Sequence, residues 1–414
     1  MEHRSTGQGA ESTVCWESLE AWTREQIQAF IQAVLEEEVT VFLGRRKSER
    51  RQAVDAPPGY RNGHGKRRRL SLTSGTITLR RPRLRNLEDH FESRILPLFQ
   101  RRTREVGALL PELYLHGLAQ GDFELALRGL LGDGAPLSPS SLQRLRAKWD
   151  ADYEAWRTRD LHDRELVYLW ADGLYVKAGL EKEKAALLIV IGALRDGTKE
   201  VLAIESGVRE STESWRAVLR SLQARGLPSP RLTIADGHLG IWGALAEIYP
   251  ASAEQRCWNH KLLNVLDQLP RRIQPQARAL LSQLPYAETR AECERLKRQV
   301  VARYGRAYPK AAETLERDWE RMVTFYRFPR EHWKHLRTSN VVESPFAAVR
   351  LRTDAAKRYK RVANATALIW KVLMVAQSRF RRLDAPELLA EVYHGVSYVD
   401  GHRVPGENTR RVAA

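Results

Sequence analysis

The sequence predicts a mixed α/β protein whose strand-rich core is interrupted by an all-α insertion and preceded by a helical nucleic-acid-binding region. Three observations carry that expectation. Apolar runs of strand length alternate with amphipathic helical stretches between residues 161 and 260. From residue 261 the alternation gives way to helical segments punctuated by Pro270, Pro275, Pro285, Pro309 and Pro329. The 414 residues carry 68 Lys or Arg against 51 Asp or Glu, a formal net charge of +17.

That charge makes a polyanion the expected partner and excludes small acidic substrates as its reason. Hydrophobic residues make up 43% and charged residues 29%, a globular balance, and the length suits two to four domains at ~100–200 residues each. Cys15, Cys257 and Cys293 are too few and too scattered for a disulfide framework, which points to a reducing compartment and a cytoplasmic location. The most apolar run, AALLIVIGAL at 185–194, is half of the ~20 residues that a membrane span requires. It reads as a buried strand, and no membrane association is expected.

In chain order, residues 1–60 form an N-terminal unit in which 16–51 have the spacing of one amphipathic helix. Its apolar stripe must be buried, either on its own chain or on a second copy, so it is a candidate dimerisation element. Residues 61–103 form a basic arm with short strands. RNGHGKRRRLSLTSGTITLRRPRLR (61–85) has nine Lys or Arg and no acid; Asn62-Gly63 and the other glycines suggest a mobile loop, and LTSGTITLR alternates as a strand. Arg61, Lys66, Arg67, Arg68 and Arg69 are therefore candidate phosphate contacts, the alternative being a solvated arm. Residues 104–160 read as three short helices and a helix-turn-helix. Ser138-Pro139 is a strong helix start, and Ser140, Gln143, Arg144 and Lys148 decorate a polar face behind it, as a recognition helix requires. The alternative is an ordinary helical hairpin.

Residues 161–260 contain ELVYLWADGLYVKAG, KAALLIVIGALRDG and KEVLAIESG as a three-strand meander. The helix STESWRAVLRSLQARGL follows, with a Ser/Thr cap and Glu213 in its first turn. RLTIADG is a fourth strand, HLGIWGALAEIY a helix and AEQRCWNH a fifth strand. The order β-β-β-α-β-α-β is that of a ribonuclease H-like core, a mixed sheet with helices on its faces. Residues 261–335 form the all-helical insertion, with AETRAECERLKRQVVARYG and YPKAAETLERDWERMVTFYRF as its helices. Residues 336–385 complete the core and end in a helix with a cationic face suited to tracking DNA, the alternative being a helix that covers the sheet and is basic only on its outer side, and 386–414 form a C-terminal tail.

The chemistry rests on three carboxylates. Asp172 ends the run VYLWAD and Asp236 ends LTIAD, each at a strand tip and each followed by Gly. Singly, either is more readily a turn residue. Together, on neighbouring strands ~4 Å apart, they would repel by roughly 4 kcal/mol at an effective dielectric of 20, so a hard dication with oxygen ligands is expected, Mg2+ or Mn2+. Two such ions would clamp an in-line phosphoryl displacement. Glu343 is the third candidate; Asn340 can cap a helix and place Glu343 in its first turn, where it could equally serve as a capping-box partner.

The motifs WADGLYVKAG, LTIADG, QRCWNHKLLNVLDQLP and TSNVVESPFAAVRLRT, in that order, resemble the Mutator-type transposases of bacterial insertion sequences. The resemblance covers most of residues 60–380. It implies an Asp-Asp-Glu triad of Asp172, Asp236 and Glu343 holding two Mg2+ or Mn2+ ions, on a ribonuclease H-like fold with a helical insertion before the Glu. It also implies terminal inverted repeats and target DNA as double-stranded substrates, and a homodimeric assembly in a bacterial, nucleoid-associated setting. The family's Cys-x-x-His element falls on Cys257 and His260, beside the site. Zinc is disfavoured there because no second Cys/His pair stands at finger spacing. Two other functions share parts of this pattern: a DNA-binding regulator that has lost catalysis, and a structure-specific nuclease.

Overall fold

A computed structural model describes residues 15–405 apart from 52–57, 88–90, 119–121, 132–138, 179–183, 208, 238 and 357. The chain divides into two compact units, Met1–Leu145 and Arg146–Ala414.

In the first unit, helix α1 (Leu19–Leu43) lies against a hairpin of β1 (Tyr60–Leu72) and β2 (Gly75–Arg85). The helix stops short of the expected residue 51 because Gly44 adopts a left-handed φ of 64° and its N–H caps the Thr40 and Val41 carbonyls. One face of α1 is buried on its own chain, with Ile27, Ile31 and Leu35 packed on Leu70, Ile77, Leu79 and Leu96. Trp22, Phe30 and Val41 remain exposed. Two glutamines one turn apart close the free edge of β2. Gln28 accepts from the Thr78 amide (2.8 Å), while Gln32 accepts from the Arg80 amide (3.0 Å) and donates to its carbonyl (2.9 Å). The mobile loop expected at Asn62-Gly63 is instead part of β1, whose register shifts on either side of His64 absorb the extra residues as bulges.

Helices α2 (Arg104–Leu115), α3 (Phe123–Leu131) and α4 (Pro139–Arg157) follow. The expected connection GDGAPL and the Ser138 cap lie outside the described residues. Helix α4 runs well past the Trp149 end that the sequence suggested; in the second unit Tyr153 donates to the Ile204 carbonyl (2.7 Å).

The second unit is built on a five-stranded mixed sheet. Its strands are β3 (Leu166–Lys177), β4 (Lys184–Leu194), β5 (Lys199–Gly207), β6 (Leu232–Ala235) and β7 (Ala253–Arg256), ordered β5-β4-β3-β6-β7. The first three form the antiparallel meander, and β3, β6 and β7 run parallel. Parallel strands need crossovers, which α5 (Thr212–Ala224) and α6 (Leu239–Ile248) supply. Both pack on one face, where Trp215, Leu219, Ile241 and Leu245 meet Leu169, Ala171, Leu188 and Val190. Ser211 caps α5 by accepting from the Ser214 amide.

Alternation sends Tyr168 and Trp170 to the other face. There the Tyr168 hydroxyl pairs with His332 (2.8 Å) and the Trp170 indole donates to the His335 carbonyl (3.0 Å). That face receives the helical segment of α7 (Trp258–Leu266), α8 (Gln274–Leu281), α9 (Arg290–Tyr304), α10 (Pro309–Glu316), α11 (Trp319–Met322) and α12 (Trp333–Leu336). Fully buried Gln255 on β7 bolts the segment down, donating to the Met322 carbonyl (3.1 Å) and accepting from the Phe325 amide (2.8 Å). The helix expected over YPKAAETLERDWERMVTFYRF is broken at Asp318, which takes a left-handed φ of 60°. The fifth strand ends at Arg256 rather than continuing through Cys-x-x-His, because Cys257 is already the cap residue of α7.

Helices α13 (Asn340–Glu343), α14 (Phe346–Ala356) and α15 (Val362–Gln377) follow. The expected cationic helix is not built. Helix α15 covers the sheet beside β5, buries Leu368, Ile369, Val372 and Leu373, and has Lys371 as its one basic residue. Of the other described basic residues in that stretch, Arg350 and buried Arg352 belong to α14, and the rest gather at the ends of α15, at 358–361 and 379–382. The expected tail is partly structured too: α16 (Pro386–Tyr393) packs beside β3, and β8 (Tyr398–Val399) pairs with β9 (His402–Arg403). No helix among the described residues is long and apolar enough to cross a membrane.

The crossing of α5 and α6 is close enough to test. A Cβ on Gly240 would lie 2.6 Å from the Glu210 carbonyl oxygen and 2.8 Å from the Thr212 nitrogen, whereas one on Gly243 would meet only the Thr212 side chain, at 3.1 Å. Overpacking against backbone costs ~1–3 kcal/mol, which outweighs the ~1 kcal/mol that Ala gains over Gly in a helix. Urea unfolding is expected to show Gly240→Ala destabilised and Gly243→Ala at or above wild type; equal midpoints for the two would mean that the helices are not in backbone contact.

Candidate active site

The two aspartates are brought together by register. β6 pairs with the first half of β3 only, from Tyr168↔Leu232 to Ala171↔Ala235. The next residue on each strand is the aspartate, so Asp172 and Asp236 stand side by side. Asp172 is not at a strand end, as VYLWAD suggested. β3 continues to Lys177 because its second half pairs with β4, Asp172 opposite Ile189 and Gly173 opposite Leu188. A turn role for Asp172-Gly173 is thereby excluded. Asp236 does leave its strand into a turn, with Gly237 at a φ of 101°, so it is both a turn residue and a neighbour of Asp172.

Glu210, which the sequence reading passed over, joins them. Carboxylate oxygens of Asp172, Glu210 and Asp236 all lie within 4.8 Å of one another. Glu210 is buried, 8% exposed, in the residue just before the Ser211 cap of α5. A Cβ at position 173 would fall 2.3 Å from its carboxyl carbon, so the glycine after Asp172 leaves the space that Glu210 uses. Nothing local in GVRESTES marks that carboxylate; only the pairing of Asp-Gly with a distant acid does.

Glu343 sits on α13, which packs against β3 and β4, on the face shared by Trp170 and Asp172. Ser339 is the cap residue, and Asn340 is the first helical residue rather than the cap. Asn340 instead accepts from the Asn259 side chain (3.2 Å), and the Glu343 carboxylate accepts from the Ser339 hydroxyl. The capping box that Asn340 and Glu343 could have formed is therefore absent. Ser344-Pro345 separates α13 from α14. Cys257, His260 and Glu343 also offer donor atoms within 4.8 Å of one another, with His260 Nδ1 at 3.8 Å from Glu343 Oε1.

The electrostatics are those of crowded acids. Burial pushes the Asp172 carboxyl up to about 7, against a 2.8 Å bond from the Gly173 amide that lowers it, and the charges of Asp236, Glu343 and Glu210 add to the rise. His260 is pushed up to about 9, first by its hydrogen bond to Cys257 and then, against its burial, by the charges of Cys257, Glu343 and Asp236. An all-oxygen donor set with a crowded, buried carboxyl among its members fits a hard dication, which would return Asp172 to its charged form. Asp172, Asp236 and Glu210 are the residues placed to hold one, with Glu343 alongside.

The DNA-contact candidates divide. Lys66, Arg67 and Arg69 are exposed on β1, and Gln143, Arg144 and Lys148 on α4; Ser140 lies in the first turn of α4. Arg61 is instead fastened to the end of α1, donating to the Thr40 hydroxyl (2.7 Å) and the Arg45 carbonyl (3.2 Å). Arg68 donates to the Gln100 carbonyl (2.6 Å).

A strongly basic chain whose mixed sheet gathers acids at its central strands has the make-up of a DNA-processing enzyme. The family model for transposases of the Mutator family matches residues 6–382, and the chain belongs to that family. It is 43% identical over 293 residues to the transposase for insertion sequence element IS6120 of Mycolicibacterium smegmatis, covering 71% of this chain and 91% of that one. It is 40% identical over 278 residues to the transposase for IST2 of Acidithiobacillus ferrooxidans, covering 67% and 94%. A solved Drosophila P element transposase strand transfer complex aligns over 69% of this chain and 82% of that one at 13% identity, with a TM-score of 0.29 that is too low to carry an argument.

Asp172 sets a stability test. With a folded value near 7 against an ordinary 3.8, the metal-free folded state keeps a proton that the unfolded chain has released. Stability is therefore lost as pH rises from about 4 to about 7. Asp172→Asn removes the loss while keeping an acceptor for the Gly173 amide. Melted in EDTA, it is expected to match wild type at pH 4 and to exceed it at pH 8 by on the order of 2–4 kcal/mol; identical melting at both pH values would show that Asp172 is not crowded.

Proposed function

We propose that this chain is the transposase of an insertion sequence. It binds the terminal inverted repeats of its element, cuts DNA at their ends and joins the freed end to target DNA, using two Mg2+ or Mn2+ ions. What supports this reading is the cluster of Asp172, Asp236 and Glu210 on the sheet of a chain of this family, with carboxylate oxygens within 4.8 Å of one another, and Glu343 near enough for its charge to raise the Asp172 carboxyl. We read the strand order β5-β4-β3-β6-β7 as a ribonuclease H-like core and the helices between β7 and α13 as its insertion. A chain that only bound DNA would gain nothing from keeping these acids in mutual repulsion.

When bound, the ions supply an activated water and neutralise charge in the transition state. Asp172 and Asp236, set side by side by register, would hold the ions together with Glu210, which lies over Gly173, and with Glu343 on α13. Water breaks the P–O3′ bond at the element's end and leaves a 3′-hydroxyl and a 5′-phosphate. That hydroxyl then displaces a 3′ oxygen in target DNA, so no covalent enzyme intermediate is required. Lys66, Arg67 and Arg69 on the hairpin contact phosphates, and α3 and α4 act as a helix-turn-helix that presents Ser140, Gln143, Arg144 and Lys148 to the terminal repeat. Arg61 serves the hairpin's attachment to α1 rather than DNA. The exposed Trp22, Phe30 and Val41 of α1 are the surface available to a second copy in a homodimer.

Two measurements test this. Asp236→Asn keeps size and turn chemistry while removing a charge. On one preparation, binding to an element-end duplex is expected to persist while Mg2+-dependent nicking falls by roughly 100-fold or more; unchanged nicking would leave Asp236 a turn residue only. Replacing Lys66, Arg67 and Arg69 together by Ala is expected to reduce the log–log salt slope of DNA binding by about 2–3, at ~0.9 per phosphate contact. An unaltered slope would return the hairpin to solvent.

A further inference from the structure

The Cys-x-x-His element has no part in that reading, yet it lies at the joint on which Glu343 depends. Glu343 ends a helix of four residues and is followed by Ser344-Pro345. A helix so short cannot hold itself, since nucleation alone is unfavourable. It packs on β3 and β4, and the start of α7 ties down its entry. The Trp258 amide donates to the Arg337 carbonyl (2.9 Å), the Ser339 amide donates to Cys257 Sγ (3.3 Å), and the Asn259 side chain donates to Asn340 (3.2 Å). Cys257 is tied in turn to the strand end, its amide donating to the carbonyl of Ala235 (2.7 Å), the residue before Asp236.

Ser339 is the link between this seat and the carboxylate. It is fully buried. Its amide needs an acceptor there, and the cysteine sulfur, at a length an oxygen would not span as well, supplies one. Its hydroxyl donates to Glu343 Oε1, the same oxygen that faces His260, which leaves Oε2 for a ligand. A continuous path of bonds therefore runs from the strand of one triad acid, through Cys257 and Ser339, to the acid that is remote in sequence.

We propose that Ser339, seated on Cys257, is the positioning residue of Glu343, and that the Cys-x-x-His element is the mount of the metal centre rather than a ligand set of its own. The proposal rests on the reading of Glu343 as a metal ligand. Groups that orient a ligand from behind typically contribute 10–100-fold to metal affinity, and a missing hydroxyl that merely filled space would not.

Mn2+ binding to the full-length, DNA-free protein, followed by electron paramagnetic resonance of the free ion, tests it without reference to activity. Ser339→Ala is expected to weaken binding about tenfold while leaving the metal-free melting temperature unchanged, and Ser339→Thr, which restores the hydroxyl, should bind within about twofold of wild type. Cys257→Ala should weaken Mn2+ binding in the same direction by freeing the Ser339 amide, which keeps the test available if Ser339→Ala does not fold. Wild-type affinity in both Ser339→Ala and Cys257→Ala, alongside a loss in Glu343→Gln, would overturn the positioning role and leave the triad standing. Wild-type affinity in Glu343→Gln would remove the triad assignment itself. Stoichiometric zinc in the isolated wild-type protein, lost in Cys257→Ala, would make the element a ligand set and also overturn the proposal.

Discussion

The pairing of β3 with β6 is four residues long, and the meeting of the acids on the sheet depends on it. Because the strands run parallel and in step, the residue after Ala171 and the residue after Ala235 emerge together, and both are aspartates. A slip of one residue would turn every β6 side chain to the opposite face. What opposes the slip is packing on both sides: Leu232, Thr233, Ile234 and Ala235 are all buried, so a slip would force each to repack in a space shaped for its neighbour. The core around the sheet thus offsets a juxtaposition of acids that is itself unfavourable, and a site of low intrinsic stability is held by the part of the fold with most to lose from moving.

The meander, the α5 cap and the juxtaposition of Asp172 and Asp236 were legible in the sequence because each has a local signature: apolar runs between turn residues, a Ser before an amphipathic stretch, an acid after a run. The remaining features depend on partners far along the chain. ADG looks like a turn, and only β4 across the ladder makes it strand interior. Glu210 looks like a helix-start acid until Gly173 is brought beneath it. Around α15 the basic residues count as one face in the sequence, yet most sit at 358–361 and 379–382, while the helix between carries only Lys371 and is buried on the sheet. Asp318 breaks a helical pattern through a left-handed backbone that periodicity does not reveal.

Arginine counting in the first unit shows the same limit. Nine basic residues between 61 and 85 read as a single electrostatic arm, but their tasks differ with strand parity and neighbours. Arg61 and Arg68 satisfy carbonyls at the end of α1 and at Gln100, so their cost of immobilisation is already met inside the fold. Lys66, Arg67 and Arg69 face outward. Composition pointed to a polyanionic partner; only the bulged register of β1 and its neighbours separates the basic residues exposed on the strand from those fastened to carbonyls of the unit.

The two glutamines on α1 have a consequence for the fate of the chain in a crowded cell. An unpaired strand edge is a template for any passing strand, and a hairpin as long as β1–β2 would recruit another copy by backbone pairing. Gln28 and Gln32, spaced by one helical turn, present amides where the next strand's peptide groups would be. They imitate a neighbour that is not there and close the rungs at Thr78 and Arg80, in the middle of β2, where a second strand would otherwise begin to pair.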